Sequence, residues 1–94
     1  MALARVVSFE DVSPDRIEQL RRDISEGPPQ EGLPASEILL LHDADAQRAL
    51  VLLFFETKEA YAQGDATLNA MPAGETPGRR ASVQRFTVAL RRTI

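Results

Sequence analysis

Apolar and β-branched residues crowd the segment 3–9, LARVVSF, and predict a strand that ends at the acidic pair Glu10–Asp11. The period then changes. Ile17, Leu20 and Ile24 recur at i, i+3 and i+7, one apolar stripe of a helix. Ser13–Pro14 marks its start, because serine accepts from the first free N–H groups and proline has none to lose there. Gly27–Pro28–Pro29 marks its stop. Two apolar runs follow, SEILLLH (36–42) and ALVLLFFE (49–56), joined by a polar turn, which predicts an antiparallel hairpin. Thr57 is positioned to cap a second helix, with Tyr61, Gly64, Leu68 and Met71 on one face and Pro72 at its end. Gly64 costs this helix up to about 1 kcal/mol relative to alanine. Asp65 behind it is able to act as a fresh cap, so the pattern allows a break at Gly64–Asp65. The alternating segment RASVQRFTVAL (80–90) is the last strand.

The order βαββαβ over residues 1–94 predicts one ferredoxin-like α+β domain, a four-stranded antiparallel sheet with two helices on one face. The hairpin strands do not alternate as a half-exposed sheet should. Leu50, Leu52 and Phe54 point one way, and Val51, Leu53 and Phe55 the other. Two helices cover one face, so at least five large apolar side chains are left on the second. At about 1.5–3 kcal/mol each, leaving them in water forgoes on the order of 7–15 kcal/mol, as much as a typical domain's whole stability. A homodimer packed sheet to sheet is the expected answer.

Charge adds one asymmetry. Residues 1–78 hold 14 acidic and 6 basic side chains, a balance of −8. Residues 79–94 hold five arginines and no acid, so the chain totals −3. The chain is acidic overall and repels phosphate, which argues against nucleic acid as a partner. No apolar run approaches the roughly 20 residues of a membrane helix, and MALARVVSFE does not read as a signal peptide. Absence of cysteine excludes a disulfide framework and thiolate metal sites. The expectation is a cytoplasmic protein with no membrane partner, no metal and no cofactor.

The elements VVSFE, SPDRIEQL, EILLLHD, ALVLLFFET, KEAYAQGDATLNAMP and RASVQRFTVAL, in this order and of these lengths, resemble the dimeric α/β-barrel superfamily. There, two ferredoxin-like subunits form an eight-stranded barrel. The nearest style is the antibiotic-biosynthesis monooxygenase-like type, which includes small proteins of unassigned function. The resemblance implies a ligand pocket between the sheet and the second helix, where Tyr61, Asp65, Leu68, Asn69 and Met71 are the matching positions. Oxygenases of this type use Trp and Asn with Arg or Tyr nearby; this chain has no Trp, and Asn69 is the matching amide. Haem-degrading members carry a ligating His on the second helix, whereas the single His42 sits at a strand end, so haem is not expected.

Four residues are candidates for a ligand pocket. Tyr61 and Asn69, at i and i+8, border one side of the second helix. His42 has the side chain whose charge changes near neutrality. Arg85 is a charge in the middle of a strand and, like Arg5, needs solvent, a carboxylate or a ligand anion. Glu37 and Glu56, at a subunit interface, are the acids expected for these arginines. Two function classes follow: a dimer that binds a small apolar or aromatic ligand, and a cofactor-independent monooxygenase acting on a phenol or quinol. Whether the chain is an enzyme stays open at this point.

Overall fold

The computed structural model describes residues 2–27, 32–70 and 78–94. Strand β1 (Leu3–Glu10) leads through Asp11, in the left-handed region at φ 58°, into helix α1 (Pro14–Glu26). Ser13 caps α1 as expected, its Oγ accepting from the Arg16 N–H at 3.2 Å. The hairpin is β2 (Glu37–Asp43) and β3 (Arg48–Phe55). Asp43 closes its turn by accepting from the Ala46 N–H at 3.2 Å and from Arg48 at 3.5 Å. The backbone N–H from Ala46 is the chief reason the Asp43 carboxyl lies below the ordinary aspartate range.

Helix α2 (Lys58–Asn69) starts at Thr57, whose Oγ1 accepts from the Ala60 N–H at 3.0 Å. It is continuous. The break allowed at Gly64–Asp65 does not occur, because Gly64 is where the helix backbone meets the core: a Cβ there would lie 2.4 Å from the Phe55 ring. The helix gives up side-chain packing at one residue and gains a close approach to β3. Met71 and Pro72 lie outside the described residues.

Strand β4 (Arg79–Thr87) ends three residues before the expected Leu90. The cause is its partner. Val88 donates its N–H to the Ala2 carbonyl at 2.9 Å, just outside the start of β1 at Leu3, and the β1–β4 ladder ends there. The sheet order is β2–β3–β1–β4, all pairings antiparallel, which is the ferredoxin-like α+β arrangement.

The core lies on the helix side of the sheet, in two clusters. One joins Leu3, Leu53, Phe55 and Tyr61; the other joins Val7, Phe9, Val12 and Ala49. Ile17 of α1 packs on the second cluster, but no α1 residue is fully buried. The opposite face carries Leu39, Leu41, Leu50 and Phe86, which are 41, 49, 37 and 51% exposed. The chain after β4 covers one end of this face. There Arg91 lies 4.3 Å from the Phe54 ring centroid and pairs with Glu37 at 2.6 Å and Glu56 at 3.8 Å. Among the described residues no helix is long and apolar enough to cross a membrane.

Candidate functional site

Residues Leu3, Arg5, Val7 and Phe9 share the helix-facing side of β1, and three of them are the apolar side chains expected there. Arg5 is the fourth, and it is only 2% exposed. A guanidinium so deeply placed must be paired. Its partners come from α2, one turn apart on the same stripe: Nε donates to Asp65 Oδ1 at 2.9 Å and Nη2 to Asn69 Oδ1 at 3.1 Å. Asn69 Nδ2 in turn donates to Asp65 Oδ2 at 3.2 Å. Arg80 of β4 adds a second guanidinium, its Nη1 donating to Asn69 Oδ1 at 3.0 Å. The Asn69 amide is therefore oriented by chemistry. Arginines only donate and the carboxylate only accepts, so the oxygen faces Arg5 and Arg80 and the nitrogen faces Asp65.

Arg80 reaches α2 because of a β-bulge. β1 and β4 pair in step from Leu3↔Thr87 to Ser8↔Ser82, and then Phe9 faces Arg80, leaving Ala81 as the extra residue. Without the bulge, simple alternation from Arg85 and Val83 would turn Ala81 toward the helices and Arg80 away from them. Bulges re-aim side chains in this way and are over-represented beside active sites.

Tyr61 stands one turn before Asp65 on the same stripe of α2. Its ring packs edge-on against Phe55, at 5.4 Å between centroids and 72° between planes. The Arg85 guanidinium lies 6.0 Å from the centre of the Tyr61 ring. Burial, followed by the Asp65 charge, pushes the Tyr61 hydroxyl above its ordinary pKa, while Arg5 and Arg85 oppose the rise. The phenol is neutral at neutral pH and available as a donor.

The structure thus gathers three of the four sequence candidates, Tyr61, Asn69 and Arg85, around Arg5 and Asp65. His42 is elsewhere. It faces Ala49, which faces Phe9, so it lies two strands from β1 and level with the far end of that strand. This puts it about 10 Å across the sheet and about 13 Å along it from Arg5. The expected pairing of Arg5 with Glu37 or Glu56 is replaced by Asp65. Glu37 pairs in register with Phe54, on the sheet face opposite Arg5, and both glutamates serve Arg91 instead. Arg80 was not legible as a member, because strand parity turns it the other way. Among the described residues no cluster of three or more His, Cys, Asp or Glu is able to hold a metal ion. A surface depression bounded by Arg22, Asp23, Glu26 and Gly27 lies at the end of α1 and shares no residue with the network.

No protein-family model matches the chain, and no curated protein matches it. Among solved structures, the chain is similar to Rv0793 from Mycobacterium tuberculosis, with a TM-score of 0.56 and 17% sequence identity over 93% of this chain and 94% of that one. At that identity the likeness is one of fold.

Proposed function

We propose that this chain is a small homodimeric α/β-barrel protein that binds a small apolar or aromatic ligand between its sheet and α2. The observation that carries the reading is the network of Arg5, Asp65, Asn69 and Arg80 beside the Tyr61 ring. Oriented polar groups converging next to apolar walls are what fixes a small ligand in a cleft. An interior built for stability alone is served as well by apolar residues of similar size, since a buried ion pair returns little net energy. The dimer part rests on the exposed leucines and Phe86 of the open face, which a second copy laid sheet to sheet would remove from water. Thermal unfolding in the presence of a panel of small aromatic compounds tests the ligand reading. A ligand at a hundred times its Kd adds about 2.7 kcal/mol of stability, and Asn69→Ala is expected to weaken that gain. A panel in which no compound raises Tm sinks the reading.

A second reading, a cofactor-independent monooxygenase acting on a phenol or quinol, is favoured by the Arg5 and Arg80 guanidiniums, both held in place by donating to Asn69 Oδ1. Donors fixed in this way are suited to stabilising a phenolate as it forms. Oxygen uptake with a series of hydroquinones, compared between the native chain and Asn69→Ala, checks it; uptake no faster than background discards it.

A further inference from the structure

We infer that the helix-side face of β4, beside α2, takes a planar organic anion, an aromatic carboxylate, with Arg80 and Arg85 as its charge partners. This rests on the ligand reading above and names the chemical class of that ligand. Three observations carry it.

The first is charge. Arg5 and Arg85 face each other directly across β1 and β4, on the same side of the sheet. Like charges in that position are destabilising, and Arg80 brings a third guanidinium to the same patch. Among the described residues a single carboxylate, Asp65, joins the network, and Arg5 donates to one of its oxygens while Asn69 donates to the other. The network therefore answers the charge of Arg5 and leaves those of Arg80 and Arg85 for something else. Arg85 meets a ring face and Arg80 an amide oxygen, neither of which carries a charge.

The second is the bulge. Ala81 is the one unpaired residue in the β1–β4 ladder, and its consequence is to put Arg80 on the helix side. A register irregularity that adds a cation to a patch already holding two works against stability unless an anion is bound there.

The third is shape. Val83 sits between Arg80 and Arg85 on the same side of β4, opposite the buried Val7, and is itself 38% exposed. Residues two apart along a strand are about 7 Å apart, so a ring resting on Val83 brings its carboxylate within reach of either guanidinium. The planar fork of arginine matches a carboxylate through two parallel hydrogen bonds. An apolar floor with the Tyr61 ring alongside favours an aromatic body over a bare inorganic anion.

The test is calorimetric titration of the full chain with naphthoate, with its uncharged counterpart naphthamide and with inorganic phosphate. It is repeated on Arg85→Gln and on the Arg80→Gln, Arg85→Gln pair. Both positions are exposed, and a thermal melt of each variant confirms that it folds. Naphthoate is expected to bind at least about tenfold tighter than naphthamide, as a charged hydrogen-bonded pair allows. That preference is expected to vanish in the double variant. Equal affinity for acid and amide overturns the anion inference and leaves the ligand reading standing. Failure of both aromatics to bind sinks the two together. A preference that survives in the double variant, or phosphate binding as tightly as naphthoate, overturns the inference as stated.

Discussion

Arg5 sets the terms for the side chains around it. A charge that is 2% exposed has no water to fall back on, so removing its carboxylate leaves an uncompensated ion. Asp65→Ala is expected to cost about 2 kcal/mol in a urea titration, below the 3–5 kcal/mol of a fully buried pair, because Asp65 is itself 34% exposed. Converting Arg5 and Asp65 together to leucine is expected to cost less than Asp65→Ala alone, as it removes the charge along with its partner. Tyr61 is open to direct measurement: it is the one tyrosine in a chain without tryptophan. Its phenolate absorbance is expected to titrate with a midpoint above the ordinary value near 10, since burial and Asp65 raise it. The sign follows. A raised folded value means that the neutral phenol stabilises the fold fully below pH about 10, and that this contribution is lost as pH rises through the folded midpoint. Tyr61→Phe is expected to flatten stability over that alkaline window, with unfolding followed by circular dichroism.

The helices and strands differ in what sets their limits. Ser13 and Thr57 cap their helices through contacts three residues away, so those starts are legible from neighbours in the chain. The continuity of α2 through Gly64 is not, because the Phe55 ring nine residues earlier is what needs the space. Gly64→Ala would raise helix propensity and yet is expected to destabilise the protein by about 1–3 kcal/mol, the usual cost of overpacking a core. A urea midpoint higher than that of the native chain would contradict this packing account. β4 shows the same dependence on a distant partner twice over. Its end is set by where β1 begins, and its bulge turns Arg80 toward α2 against the parity that Arg85 and Val83 imply.

Across the assembled sheet, the two faces have different fates. The helix side holds both core clusters, while the other holds exposed Leu39, Leu41, Leu50 and Phe86. Arg91 stacking on Phe54 covers one end of that face and leaves the remainder open. Sedimentation at micromolar concentration is expected to give a particle of twice the 10.4 kDa chain mass. Phe86→Asp is expected to shift it to a single chain without loss of helix signal. A native chain that sediments as one folded copy would remove the dimer and the barrel with it.

Element order, helix starts and the doubly apolar hairpin could be read directly from the residues, because they depend on contacts within a few positions or on simple alternation. So could Tyr61 and Asn69 on one side of the second helix, from helical spacing, whereas Asp65 between them needed the helix to run unbroken through Gly64. Three things waited on the folded chain: that Asp65 rather than Glu37 or Glu56 answers Arg5, that Arg80 joins the network, and that His42 stays apart from it. Each depends on strand register or on the approach of segments about 60 residues apart. A one-residue slip or bulge reverses every facing beyond it, and no local pattern in the chain records where that happens.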